Sequence, residues 1–149
     1  MRHAESLFNT GESNDKDVAL SEKGKSQASG INKEVDIVIC SPLKRCQQTL
    51  QYSQIKYSEL KIEPLVREMR TDTSDFLEGE EEIIETEPEI QTRIAAFKAY
   101  LKTLDINQSI LVLTHSDFIW YLTSYLHTDG EYYGKHTDNC EIIELAVPL

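Results

Sequence analysis

The sequence predicts an α/β fold, a three-layer α/β/α sandwich with a mostly parallel central sheet. Two short apolar runs, at 35–40 and 110–113, are nearly continuous and rich in Val, Ile and Leu, the pattern of strands covered on both faces. Stretches of helical periodicity follow each run, and strands alternating with helices give parallel pairing through crossover connections. A hydrophobic share of 40% over 149 residues supports one compact domain spanning 1–149.

Taken in order, residues 1–16 read as an irregular polar segment, with Asn, Gly, Ser and Asp clustered from Asn9 to Asp15. Ser21 caps a first helix in which Gly24, Ala28 and Ile31 form a stripe suited to close packing against a sheet. The run at 35–40 is then a central parallel strand. Ser41 and Pro42 occupy N-cap and first-turn positions of a second helix whose apolar stripe is Leu43, Cys46 and Leu50. A strand is expected at 60–63, ended by Pro64. Most of the stretch 72–87, with Glu78, Glu80, Glu81, Glu82, Glu85 and Glu87, reads as a solvated loop or exposed helix face without a binding role.

Thr86 and Glu89 have capping-box spacing, and Ile90, Ile94, Phe97, Leu101 and Leu104 recur at helical intervals, so a long helix starts there. The run at 110–113 is a second buried strand, followed by a helix over 116–126. The alternation at 140–147 predicts a final strand.

A formal net charge of -11 argues against nucleic-acid and anionic-membrane partners and confines any phosphate site to a local basic pocket. Cys40, Cys46 and Cys140 fit neither a zinc nor a redox spacing and read as reduced thiols, two of them in the core. No run reaches the roughly 18 apolar residues of a membrane span, and the start lacks a basic-then-apolar leader, so a cytoplasmic location is expected.

Ligands of open parallel sheets bind beyond the carboxyl ends of the strands. After the first run come Ser41, Pro42 and Arg45; after the second comes His115. Arg45 at a helix N-terminus combines a fixed cation with free backbone N–H groups, a physical means of holding phosphate. The chain also opens with Arg2-His3-Ala4-Glu5-Ser6-Leu7-Phe8-Asn9. With Leu20 to Gly24, Ser41 to Thr49, Leu65-Val66-Arg67-Glu68, Glu78-Gly79 and Thr114-His115-Ser116, this resembles the motif order of the histidine phosphatase superfamily, the phosphoglycerate-mutase-like enzymes.

The resemblance implies that His3 attacks phosphorus and carries it as phosphohistidine. It implies that Arg2 and Arg45 clamp the transferring group, that Asn9 adds a neutral hydrogen bond, and that His115 adds a donor and a positive charge. Glu68 becomes the general acid and then the base. Arginines supply the neutralising charge, so neither metal nor cofactor is expected. The implied function is a phosphomonoesterase acting on a small phosphorylated metabolite or a phosphorylated side chain of a phosphoprotein. A phosphoglycerate-type mutase and a catalytically weak phosphate-binding or scaffolding module are the alternatives.

Against the family pattern, only Met1 stands before Arg2 where an apolar strand is usual, so that strand is rudimentary or residues are missing upstream. Ala4 and Ser116 replace glycines near backbone that approaches phosphate, either narrowing the pocket or doing no harm. The loop after Asn9 supplies Glu12, Asp15 and Asp17 where the second anion of a mutase substrate would need cations, which favours hydrolysis unless Lys16, Lys23 or Arg70 folds over the cleft. Phe8, Phe76, Trp120, Tyr132 and Tyr133 either wall the cleft or fill the core. His127 and His136 read as surface residues.

Overall fold

β1 (Glu34–Cys40) is the centre of the sheet, and its alternation builds a core on each face. In the computed structural model, which describes residues 1–105 and 107–145, Val38 and Cys40 pack with Met1, Cys46, Leu50, Leu111 and Leu113. Ile37 and Ile39 pack on the opposite side with Val66, Ile90, Ile94, Phe97, Phe118 and Leu122. Successive strand residues point to opposite faces, so a run apolar at every position needs cover on both. α2 (Lys44–Tyr52) covers the first face, and α3 (Glu87–Leu101) and α4 (Ser116–Thr123) cover the second. β2 (Lys56–Ile62) and β3 (Ile110–Leu113) flank β1 in parallel, in the order β2-β1-β3. The expected α/β/α layering is present.

Residues 1–3 extend this sheet beyond β3. Arg2 forms a parallel bridge with Thr114; Thr114 N–H donates to the Met1 carbonyl at 2.9 Å and His3 N–H to the Thr114 carbonyl at 3.0 Å. The strand that the family places before its Arg-His pair is seen here as that single bridge. On its far side Arg2 N–H reaches the Glu141 carbonyl, and Cys140 N–H reaches the Arg2 carbonyl.

Several elements differ from the sequence reading. α1 (Glu22–Ser29) keeps its Ser21 cap, which accepts from Gly24 N–H; of its expected stripe, Gly24 and Ala28 lie against the first loop, while Ile31, just past the helix, packs on the cluster that includes Val38 and Cys40 of the sheet. A Cβ on Gly24 would stand 2.0 Å from the Glu5 carbonyl oxygen, so the loop approaches as closely as it does because the residue is glycine. α2 begins two residues after Pro42, at Lys44, and its first N–H is received from a distance by Asp17 Oδ1 at 2.7 Å. Ser41 is therefore not the N-cap residue, although its Oγ still accepts from Leu43 N–H at 3.2 Å, and its O–H remains to donate to the site.

β2 starts at Lys56, four residues earlier than expected, and almost all of it is exposed. As an edge strand it carries Lys56, Glu59 and Lys61, charges that blunt pairing with other chains and also hide its strand character from a hydropathy reading. α4 stops at Thr123, after which β4 (Tyr125–Leu126) and β5 (Tyr132–Tyr133) form a small antiparallel hairpin. Of the final strand expected at 140–147, residues 140–145 are not a strand and 146–147 lie outside the described residues. Cys140 has φ 63, a left-handed conformation that interrupts an extended path. α3 begins as expected, with the Thr86 side chain accepting from Glu89 N–H.

Candidate active site

His3, Ser41, Arg45 and His115 meet beyond the carboxyl ends of β1 and β3, all of them buried. The backbone of His3 is fixed by the Thr114 bond, and its ring by Nδ1, which donates to the Ala4 carbonyl at 2.6 Å. Because a carbonyl only accepts, that bond puts the ring proton on Nδ1 and the lone pair on Nε2. Burial and then the Arg45 charge hold the imidazole pKa well below 6.5, so His3 is neutral at pH 7. The Ala4 methyl packs with Leu20 and Ala28.

His115 lies edge-on to His3, with ring centroids 5.2 Å apart. Its Nε2 is 2.9 Å from Ser41 Oγ and 3.4 Å from Cys46 Sγ, while its Nδ1 is buried without a partner. The positive charge expected on His115 is absent: burial, then Arg45 and His3, hold it well below 6.5. Cys46 stays a thiol, since burial pushes its pKa well above 9.0.

Arg45 is nearly buried, as is the residue that holds it. Its NH2 donates to Asp75 Oδ1 at 3.0 Å and its NH1 to the Ser74 carbonyl at 2.8 Å. The reading of most of 72–87 as solvated holds for Glu78, Glu81, Glu82 and Glu87 but not for the residues that meet arginines. Asp75 and Glu85 are buried, Glu80 forks onto Arg67 at 2.7 and 2.9 Å, and Glu85 joins Arg93 at 2.7 Å and Arg70 at 3.3 Å. Ionised carboxylates go inside only when paired, and the arginines on both sides of this stretch supply the pairs. Arg2 donates through NH1 to the Thr137 carbonyl at 2.6 Å, and its Nε is buried without a partner.

Glu68 lies under the N-terminus of α4. Its carboxylate accepts from Met69 N–H at 2.9 Å, Phe118 N–H at 3.0 Å, Asp117 N–H at 3.2 Å and Ser116 Oγ at 3.5 Å. These donors and Arg45 favour the ionised form, but burial and the charges of Asp117 and Asp75 outweigh them and push the pKa up to about 7. Ser116, the second departure from glycine, thus serves as a Glu68 partner.

Asn9 is exposed at the rim; its Oδ1 accepts from Ser6 N–H at 3.0 Å and from Asn139 Nδ2 at 3.4 Å. Asn139 also donates to the His3 carbonyl at 3.1 Å, which makes it a support of the site that sequence reading missed. Asp75, Ser41 and Thr137 were missed as well. Among the aromatic residues, Phe76 is core, Phe8, Tyr132 and Tyr133 are exposed, and Trp120 stacks on His136 with ring centroids 4.6 Å apart.

Residues 1–89 match the histidine phosphatase superfamily (branch 1), a span that holds Arg2, His3, Asn9, Arg45 and Glu68. The chain is a member of the histidine phosphatase superfamily. Several solved structures resemble it over most of its length. An Escherichia coli protein, solved as a candidate alpha-ribazole-5'-P phosphatase, is 22% identical, with 82% of this chain and 75% of that one covered and a TM-score of 0.63. The Mycobacterium tuberculosis open reading frame Rv3214 is 19% identical over 82% and 75% of the two chains, at 0.60. The silkworm ecdysone phosphate phosphatase in complex with tungstate is 16% identical over 97% and 83%, at 0.59. At these identities the likeness establishes the fold. No curated protein sequence matches the chain.

Proposed function

We propose that this chain is a metal-independent phosphomonoesterase that passes the phosphoryl group through His3, acting on a small phosphorylated metabolite or a phosphorylated side chain. The observation that carries the reading is the neutral, buried His3 whose Nδ1–H is committed to the Ala4 carbonyl, presenting a lone pair on Nε2 near two arginines. Nε2 attacks phosphorus in line; the N–P bond forms as the ester O–P bond breaks. Protonated Glu68 gives its proton to the departing oxygen. In the second step the Glu68 carboxylate takes a proton from water, whose oxygen displaces His3 from phosphorus and releases phosphate. Such acid and base help is typically worth about 10² to 10⁴ in rate.

Arg2 and Arg45 clamp the equatorial oxygens, and the unpartnered Arg2 Nε and His115 Nδ1 supply buried donor positions that an anion would satisfy. With Ser41 Oγ–H donating to His115 Nε2, the neutral ring keeps its own proton on Nδ1 and donates from there. Asn9 adds the donors of its side-chain amide at the rim.

Hydrolysis is favoured over mutase chemistry by the occupation of the spare cations. Lys16 donates to the Glu80 carbonyl, Lys23 stands 3.9 Å from Glu5, and Arg70 pairs with Glu85. A bisphosphorylated intermediate would find no second cation cluster among the described residues, so water intercepts the phosphohistidine. The test is p-nitrophenyl phosphate hydrolysis by the wild-type chain beside His3→Ala. Turnover lost in the variant supports the reading; a wild-type chain that binds phosphate without turnover would make it a binding module.

A further inference from the structure

On that reading of the site, a feature of the leaving-group side points further. Glu68, which protonates the departing oxygen, is bonded by the backbone N–H of Asp117 at 3.2 Å. Asp117 is in the first turn of α4, next to the backbone N–H that holds the Glu68 carboxylate. The α4 residues that follow it, Phe118, Ile119 and Leu122, turn into the core, whereas Asp117 is exposed. Its carboxylate forms no hydrogen bond or ion pair among the described residues.

Partial burial raises the Asp117 pKa, and the charges that act on it are of both signs. Asp75 and Asp72 share its sign, and Arg2 and His136 oppose it. Arg2 is bonded to the Thr137 carbonyl, and His136 lies over Trp120, so neither is bonded to the carboxylate. Arg2 Nε and His115 Nδ1 are both buried without a partner and call for an anion. A ligand that satisfies both halves is negative at the transferring phosphoryl group and positive on the alcohol.

We infer that Asp117 is a specificity-determining residue that selects phosphomonoesters whose alcohol carries an ammonium group near the ester oxygen. The ammonium pairs with the Asp117 carboxylate, reinforced by the negative charge of Asp72, while the phosphoryl group sits between the arginines. The bonds made and broken are those of simple hydrolysis: the ammonium keeps its protons, and Glu68 alone supplies the one the alcohol oxygen takes. An alcohol bearing a carboxylate is disfavoured by the same charges.

The test compares kcat/KM for 2-aminoethyl phosphate and propyl phosphate, which have nearly the same size. Wild type should favour the ammonium substrate by about tenfold, and by less as salt is raised, since ion pairing at a cleft mouth is screened. In Asp117→Asn the ratio should fall to that set by the lower basicity of the aminoalcohol, and Asp117→Glu should restore part of it. A wild-type ratio near one, or a ratio that Asp117→Asn leaves unchanged because both substrates lose equally, overturns the inference. Propyl phosphate turnover that depends on His3 leaves the phosphatase reading standing in either case; its absence removes that reading instead.

Discussion

The guanidinium of Arg45 is held by the carboxylate of Asp75 at 3.0 Å, and both side chains are almost wholly removed from solvent. The second oxygen of Asp75 accepts from Thr71 N–H, Asp72 N–H and Thr71 Oγ, so the loop after Glu68 is latched to the cation of the proposed phosphate clamp. Arg45 has five N–H donors, of which this latch and the Ser74 carbonyl use two. The rest stay available for phosphate oxygens from a guanidinium that cannot swing away.

Breaking a buried pair by removing one partner strands a charge in low dielectric, a change that costs about 3–5 kcal/mol. Asp75→Ala should therefore lower the urea-unfolding free energy by that amount and raise KM for aryl phosphate, since Arg45 loses its support. An unfolding midpoint within error of wild type would contradict the latch.

The neighbouring glutamates separate cleanly. Glu80 accepts from both Arg67 nitrogens and from Leu77 N–H, and Arg67 holds its carboxyl down to about 2, whereas Glu81 and Glu82 are exposed. A depressed folded-state pKa contributes stability above the unfolded value of 4.5 and loses it as pH falls through about 2. Glu80→Gln should cost about 1 kcal/mol at pH 7, the screened worth of a partly exposed pair, and progressively less as pH falls from 4.5 through about 2. Glu81→Gln and Glu82→Gln should stay within about 0.5 kcal/mol of wild type over the same range.

Glu68 must be protonated to act as an acid, and its pKa is pushed up to about 7. Turnover of alkyl phosphates should therefore fall as pH rises through about 7, while neutral His3 and His115 place any acid limb well below 6.5. Glu68→Gln should flatten the upper limb and harm alkyl more than aryl phosphate hydrolysis, because a basic leaving oxygen needs the proton most. Equal losses on both substrates would remove Glu68 from the role.

Much of this site was legible in the sequence, because reactive side chains at strand ends have few other reasons to be there. His3, Arg45, Glu68 and His115 come from four separate motifs, and the fold brings them close enough that His3 meets His115 and the Arg45 charge acts on the other three. The electrostatics were less legible. The charge of His115 depends on how deeply β3 buries it, and the inward turn of Asp75 depends on an arginine 30 positions away in the chain. Ser41 reads as a helix cap in sequence, and only the later start of α2 hands its hydroxyl to His115. In the fold, the buried strands were visible by their apolar runs. β2 was half seen because an edge strand exposes polar residues, and 140–145 misled because its alternation met a left-handed turn at Cys140.

With Lys16, Lys23 and Arg70 otherwise engaged, 3-phosphoglycerate mixed with catalytic 2,3-bisphosphoglycerate should yield free phosphate and little 2-phosphoglycerate by phosphorus NMR. Isomerisation faster than phosphate release would make the chain a mutase.

The phosphoryl group's passage through His3 is tested most directly by trapping it. Enzyme mixed with a phosphorus-labelled aryl phosphate, quenched within a turnover at alkaline pH and digested, should yield an acid-labile, base-stable phosphate on the peptide that contains His3. No such label should appear in His3→Ala, whose turnover should fall by at least about 10³ for loss of the nucleophile. Label on a serine or aspartate, or turnover that survives His3→Ala, would contradict the account.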